Sequence, residues 1–283
     1  MLPPRWLQWG SAAGLVLLSV LLPAPLGPAA DRARSEALKL VRLPETRSAL
    51  TAAPEQVEAV AVCLLHSYAN PAHEIAIGKI LRKALPGVYV TLSHEILREY
   101  REYERTSTAA ANAYVGPRVR TYLTEMEKHL SKSGFGGNFL IVQSTGGLFG
   151  VDEAQSACIK MLESGPAAGV IGTKALADSI GLRNAIAFDM GGTTAKAGVI
   201  YNGDVLMIGS ALIGGYATGL PVQMPMIDIQ EVGTGGGSIA RVDVGNALRV
   251  GPESAGASPG PVCYDKRSEE RRVGKECLRL CRS

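Results

Sequence analysis

The stretch AIAFDMGGTTAKAGVIYNGDVLMI, residues 185–208, decides the fold class. Its first apolar run ends at Asp189, a second run resumes after Thr194, and Asn202-Gly203 precedes a third. The dipeptide Asn-Gly favours a two-residue hairpin turn between antiparallel strands. The stretch therefore predicts three antiparallel strands, with a glycine-rich turn between the first two and the Asn-Gly turn between the last two.

The glycine-rich turn carries groups that suit a phosphate. Glycines leave backbone N–H groups open to phosphate oxygens, threonine hydroxyls donate further hydrogen bonds, and a lysine adds positive charge. These groups come from Gly191, Gly192, Thr193, Thr194 and Lys196. A carboxylate cannot bind phosphate directly, so we expect Asp189 to hold Mg²⁺ through water or to orient a nucleophilic water. The alternative interpretation is a plain hairpin turn with no ligand.

A second glycine-rich segment follows the apolar run 226–229. Its three consecutive glycines, Gly235, Gly236 and Gly237, predict exposed amides for an oxyanion or a phosphate, and the alternative is a flexible loop. The nearby carboxylates of Asp228 and Glu231 are candidates for catalytic bases or for contact with a metal.

An α/β region precedes the hairpin. Residues 57–65 form a continuous apolar run that predicts a buried strand, and a helical pattern and a second strand follow it. Strand-helix-strand order is typical of a parallel sheet. Farther along, Arg98, Arg101 and Arg105 alternate with glutamates, which predicts a solvated, self-paired helix face.

Composition and charge exclude several classes of protein. The chain has 283 residues, is 46% hydrophobic and carries a net charge of +3, as an ordinary globular protein does. Because the basic residues form no interior block, we expect no nucleic-acid partner. The five cysteines include no CxxC pair, which argues against a disulfide framework and a zinc site.

The two ends differ from the middle of the chain. Residues 1–30 combine a basic start, a short apolar run and small residues, as a secretory signal does. If that signal is genuine, the protein is secreted or anchored; the interpretation we favour is that residues 1–56 do not belong to the fold. The charged tail 266–283 is either a solvated tail, a segment that binds an acidic partner, or translated adaptor sequence.

Several motifs together resemble the hydantoinase A/oxoprolinase family, which includes acetone carboxylase subunits. They run in order over roughly three quarters of the chain: VAVCLLHSYANPAHE, SHEILREYREYERTSTAAANAYVGP, QSTGG, ESGPAAGV, FDMGGTTAK, IDIQEVGTGGGSIA and GPESAGASPGPVCY. The resemblance implies an α/β fold with a mixed sheet: an actin/hexokinase-like (ribonuclease H-like) lobe preceded by the end of a first α/β domain. We accordingly divide the chain into 57–150, the end of the family's N-terminal domain, and 151–265, the start of its catalytic domain.

The resemblance also implies a chemistry. ATP, with Mg²⁺, would phosphorylate the oxygen of a cyclic amide of the hydantoin or 5-oxoproline type, and hydrolysis would follow. The implied partners are the small cyclic amide, a hydantoinase B-type subunit or domain, and further copies of the chain. A cytoplasmic location is implied, and association with a membrane is not expected.

The chain departs from the family's pattern because it is much shorter than typical members, and because the Asp-x-Gly-Gly-Thr motif occurs once, at Asp189, where the family has another in its first lobe. The later glycine-rich segment that would hold the nucleoside is also missing, since the resemblance stops at Tyr264. We therefore expect a fragment of an ATP-dependent hydrolase. A sugar-kinase-like phosphotransferase shares the hairpin, but ESGPAAG and GTGGGS favour the hydrolase. A non-catalytic, truncated actin-like nucleotide-binding module is the third hypothesis.

Overall fold

The computed structural model describes residues 15–21, 57–214, 219–258 and 260. The chain divides into two compact units: Met1–Ser164 with Ile208–Met226, and Gly165–Met207 with Ile227–Ser283. Apart from the strand at 15–21, the predictions for residues 1–56 lie outside the described residues, as do those for 266–283. The domain boundaries proposed from the sequence stay predictions.

The elements follow one another in a mixed α/β order. The first ten are β1 (Leu15–Leu21), β2 (Val57–Leu64), α1 (Ala72–Ala84), β3 (Tyr89–Leu92), α2 (Ser93–Ile96), α3 (Glu102–Lys132), β4 (Leu140–Val142), β5 (Leu148–Gly150), α4 (Val151–Ser156) and a 3₁₀ helix (Cys158–Met161). The remainder are α5 (Ser164–Ser179), β6 (Ala185–Met190), β7 (Ala195–Tyr201), β8 (Asp204–Val205), β9 (Met207–Ile213), β10 (Leu220–Ile227), β11 (Ile229–Val232), β12 (Ser238–Val242) and β13 (Leu248–Ser254).

Strand β2 is the centre of the sheet in the first unit. It pairs antiparallel with β1 and parallel with β3. Val62 packs with Leu81 of α1 on one face, while Ala61 packs with Tyr89 and with Ala113 of α3 on the other. Because side chains alternate across a strand, burial of both faces demands a continuous apolar run, and the prediction of a buried strand is confirmed.

The charged segment before and within α3 forms only part of the solvated face that we expected. Arg98 and Arg101 are exposed, but Arg105 is fully buried. Its guanidinium donates to the carbonyls of Leu64 at 2.6 Å and Glu99 at 3.2 Å. The prediction was therefore wrong for Arg105, because an alternation of charges along the sequence carries no information about which turn of the helix meets the end of β2.

A second buried charge lies at the same end of β2. The carboxylate of Glu74, which is fully buried, accepts hydrogen bonds from Ser93 Oγ at 2.7 Å and from His94 Nδ1 at 2.6 Å. It also accepts from the backbone amides of Leu64 and His94. Burial raises the pKa of this carboxyl, but the hydrogen bonds outweigh burial, and the net pKa is lowered.

The second unit is built on an antiparallel sheet in the order β11-β7-β6, with β8 added to β7. Helix α5 covers one face of this sheet, where Ala167 and Val170 pack with Ile200 and Ile227. Strands β12 and β13 form a separate antiparallel pair. Within the described residues, no helix combines the length and the apolar character needed to cross a membrane.

Candidate phosphate-binding site

The hairpin that the sequence predicted is present. Strands β6 and β7 pair antiparallel with Asp189 opposite Lys196, and the turn between them is Gly191–Thr194. The second turn has positive φ at both Asn202 (55°) and Gly203 (89°). Two successive residues with positive φ are what a type I′ hairpin turn requires, so the local sequence accounts for both turns.

The second glycine-rich segment lies directly against the first turn. The amide of Gly236 donates to the carbonyl of Gly191 at 2.9 Å, and the amide of Gly237 donates to that of Gly192 at 2.7 Å. The amide of Gly235 donates to Ser238 Oγ at 2.8 Å. All three amides that we expected to be open to a ligand therefore already have acceptors, two in the turn and one within the segment itself.

This contact fixes which way the turn presents its own N–H groups. In a trans peptide, the carbonyl of one residue and the N–H of the next point in opposite directions. Because the carbonyls of Gly191 and Gly192 point at the second segment, the amides of Gly192 and Thr193 point away from it. Among the described residues, neither amide has a hydrogen-bond acceptor. Two adjacent N–H groups on one side of a turn form an anion-binding concavity.

Three charged side chains form a row beside the turn. Lys196 is directly opposite Asp189 on one neighbouring strand and Glu231 on the other, so the three lie on one face of the sheet. Lys196 Nζ is 3.6 Å from Glu231 Oε1. The row is accessible: Asp189 and Glu231 are exposed and Lys196 is partly exposed.

Asp228 is not part of this row. Its Oδ1 accepts a hydrogen bond from Gln230 Nε2 at 2.7 Å. Because side chains alternate along β11, Gln230 points to the sheet face opposite to that of Glu231. The structure thus brings together Asp189, Lys196 and Glu231 of the predicted residues and leaves Asp228 outside.

Helix α5 reaches the sheet close to the charged row. A small cavity of about 80 Å³ is lined by Pro166 and Thr173 of the helix and by Asp189 and Lys196 of the hairpin. A Cβ added at Gly198 would lie 2.3 Å from Val170 Cγ2, so the helix packs on a strand position that has no side chain. The ESGPAAGV motif drew attention to the small residues at the start of this helix, but nothing in the sequence predicted that Thr173 lines the cavity.

No metal centre is formed by protein groups alone in the part of the chain that the structure describes, since it contains no cluster of three or more His, Cys, Asp or Glu side chains suited to one. The role of Asp189 towards Mg²⁺ stays a prediction.

Sequence comparison identifies the family. The sequence profile of the hydantoinase/oxoprolinase family matches residues 105–273, and that of the family's N-terminal region matches residues 31–85. The chain belongs to the hydantoinase/oxoprolinase family. The prediction made from the motifs is confirmed.

Individual proteins are similar over most of this chain. An uncharacterised protein of Methanocaldococcus jannaschii is 45% identical over 221 residues, which cover 75% of this chain and 32% of that protein. The caprolactamase subunit alpha of Pseudomonas jessenii is 36% identical over 226 residues, covering 80% and 32%. The chain thus spans about a third of the length of these relatives.

Solved structures of the family support the fold. The crystal structure of the ATP-dependent caprolactamase from Pseudomonas jessenii matches with a TM-score of 0.61 at 34% identity, over 77% of this chain and 31% of that chain. A nucleotide-free acetone carboxylase matches with a TM-score of 0.59 at 27% identity, over 80% and 30%. The predicted α/β fold class with a mixed sheet is confirmed.

Proposed function

We propose that this chain is the phosphate-binding part of an ATP-dependent hydrolase that opens cyclic amides of the hydantoin or 5-oxoproline type. The proposal rests on the amides of Gly192 and Thr193, which have no acceptor among the described residues and lie beside Lys196 and Asp189. The caprolactamase that matches the chain is named as ATP-dependent, and caprolactam is a cyclic amide. The lobe is proposed to be actin/hexokinase-like, as its motifs imply.

Each group has a role in this proposal. An amide is a poor electrophile. Transfer of the γ-phosphoryl group of ATP to its oxygen, with ADP as the leaving group, would make the carbonyl carbon open to attack by water, and phosphate would leave as the C–N bond breaks. The amides of Gly192 and Thr193 would hold phosphate oxygens, and Lys196 would balance their charge. Glu231 is 3.6 Å from the amine of Lys196 and would orient it.

The residues present also fit a magnesium ion that accompanies ATP. Mg²⁺ keeps several waters and is bound by one or two carboxylates together with substrate phosphates. Asp189 is exposed and lies opposite Lys196; it is the carboxylate that would contact the ion through water, and the ion would neutralise phosphate charge there. A second subunit is proposed because the caprolactamase relative is named as a subunit. Self-association and a cytoplasmic location stay predictions.

The test uses a complete family member, since this chain spans a third of one. Replacing the aspartate that aligns with Asp189 by alanine should lower lactam-dependent ATP hydrolysis at least about 100-fold. The matched control replaces the position aligned with Asp204, an exposed aspartate in the next hairpin. Equal rates in both variants would remove Asp189 from the mechanism, and phosphorylation of a sugar instead of hydrolysis would favour a phosphotransferase.

The chain by itself should bind ATP more weakly than the micromolar range in calorimetry, because it contributes one phosphate-binding turn. Micromolar affinity would contradict the interpretation as a fragment.

A further inference from the structure

We propose that the segment Gly233–Ser238 is a support that orients the phosphate-binding turn, and that Gly235 is the residue on which this support depends. The inference rests on the proposed function, because it concerns how that turn comes to bind phosphate. The sequence suggested that this segment binds the ligand with its own amides; the contacts assign it a different role.

The two segments approach each other very closely at Gly235. A Cβ at this position would lie 2.6 Å from the carbonyl oxygen of Gly191, 2.7 Å from the carbonyl carbon of Gly192 and 2.7 Å from the nitrogen of Thr193. All three are backbone atoms of the turn, which cannot move aside as the end of a flexible side chain can. Any side chain at Gly235 therefore pushes the turn away.

The close approach at Gly235 allows hydrogen bonds between the two segments. It brings the amides of Gly236 and Gly237 within hydrogen-bond distance of the carbonyls of Gly191 and Gly192. Those two bonds hold two successive peptide planes of the turn. Because each plane carries the N–H of the next residue on its opposite edge, the same bonds aim the amides of Gly192 and Thr193 before a ligand arrives. Donors fixed in advance bind an anion better, since they need no reorganisation.

The supporting segment Gly233–Ser238 is itself held in place by its neighbours. Ser238 Oγ accepts a hydrogen bond from the amide of Gly235 at 2.8 Å. Gly251 of β13 lies against the same segment: its φ is +69°, and a Cβ there would be 2.5 Å from the carbonyl oxygen of Gly233. Gly233 differs from Gly235, because a Cβ at Gly233 would meet nothing within 4 Å.

This difference supplies a matched pair of variants. Gly235→Ala and Gly233→Ala make the same substitution two residues apart, and only the first places an atom against the turn. The full chain would be labelled with ¹⁵N and studied by NMR in the wild-type form and in both variants. Hydrogen exchange at the amides of Gly236 and Gly237 would be measured without ligand, and the shifts of Gly192 and Thr193 would be followed during titration with inorganic pyrophosphate.

In the wild type and in Gly233→Ala, we expect slow exchange at Gly236 and Gly237 and saturable shifts at Gly192 and Thr193. In Gly235→Ala, we expect exchange at both supporting amides to be about tenfold faster and the apparent Kd for pyrophosphate to be about tenfold weaker, as loss of two hydrogen bonds implies. The amide signals of α3 should not change, because that helix belongs to the first unit.

Two results would overturn the inference: wild-type exchange and affinity in Gly235→Ala, or an equal loss in Gly233→Ala, which would point to chain flexibility instead of close approach. If pyrophosphate leaves Gly192 and Thr193 unmoved in the wild type, the proposed function fails at this turn, and the exchange rates still decide whether Gly235 supports it. If Gly235→Ala does not fold, Ser238→Ala adds no bulk and should weaken pyrophosphate binding about threefold; unchanged binding contradicts the inference.

Discussion

In the first unit of this hydantoinase/oxoprolinase family member, charged side chains such as Glu74 and Arg105 are fully buried, whereas in the second unit Asp189 and Glu231 are exposed. Every buried polar or charged side chain among the described residues belongs to the first unit. Buried polar groups have their hydrogen bonds satisfied and act on stability, while exposed ones remain available to a ligand. A charge-rich motif is therefore no guide to the site: here its one buried charge, Arg105, lies in the core of one unit, and the candidate site lies in the glycine-rich part of the other.

The largest effect should come from Arg105→Ala. This variant removes the hydrogen bonds to the carbonyls of Leu64 and Glu99 and leaves a cavity, so we expect the free energy of unfolding to fall by about 3–5 kcal/mol. Chemical denaturation followed by circular dichroism would measure it. The control is Arg118→Ala, an exposed arginine on the same helix. A similar loss of unfolding free energy in Arg105→Ala and Arg118→Ala would show that burial of Arg105 does not contribute to stability.

Glu74→Gln should have the next largest effect. The amide of glutamine cannot accept all the hydrogen bonds that the carboxylate receives from Leu64, Ser93 and His94. We expect a cost of about 1.5–3 kcal/mol at pH 7, measured by denaturation, because these bonds are made to a charged group. Glu127→Gln, an exposed change on α3, should cost little.

The same variant predicts a pH dependence. The pKa of Glu74 is lowered in the folded chain from its ordinary value of 4.5, so its charged form stabilises the fold above that pH. This stabilisation is lost as the pH falls below about 4.5 and through the lower pKa of the folded state. The difference in stability between the wild type and Glu74→Gln should therefore shrink on acidification. A difference that grows in acid would contradict the assignment.

Gly198→Ala tests the second unit, whose stability we attribute to close apolar packing. The added methyl group would lie 2.3 Å from Val170 Cγ2, and we expect destabilisation of about 1–3 kcal/mol in thermal or chemical denaturation. Gly172→Ala in α5, where a Cβ meets nothing within 4 Å, should instead stabilise by up to about 1 kcal/mol. Combining Gly198→Ala with Val170→Ala should recover part of the loss; no recovery would argue against direct contact.

The smallest effect on stability should come from Asp189→Ala. Because Asp189 is exposed, the free energy of unfolding should change by less than about 0.5 kcal/mol. Binding of magnesium pyrophosphate, measured by calorimetry, should nevertheless weaken. A large loss of stability would mean that the second unit also uses its charges structurally, and the contrast between the units would fail.

Local sequence patterns were enough for much of the fold. The apolar run of β2 and the Asn202-Gly203 turn were predicted correctly, since period and turn chemistry are properties of neighbouring residues. The charged segment was harder to interpret: α3 begins at Glu102, among residues whose charges suggested an exposed face. Arg105 was assigned to the surface in error, because its burial depends on contact with β2, which is far away in the sequence.

The sequence by itself determined the buried strand β2, the hairpin turns at Gly191–Thr194 and Asn202-Gly203, and the family, because each depends on patterns of neighbouring residues. Only the tertiary structure decided which amides are free. Gly236 and Gly237 lie far from Gly191 and Gly192 in the sequence, and their hydrogen bonds exist because Gly235 lets the two backbones meet. Both segments are rich in glycine, but among the described residues the amides of Gly236 and Gly237 have acceptors in the turn, whereas those of Gly192 and Thr193 have none. The physical reason is that a hydrogen bond needs both a donor and an acceptor. The sequence shows that both groups exist, but only the fold brings a donor next to an acceptor that is distant along the chain.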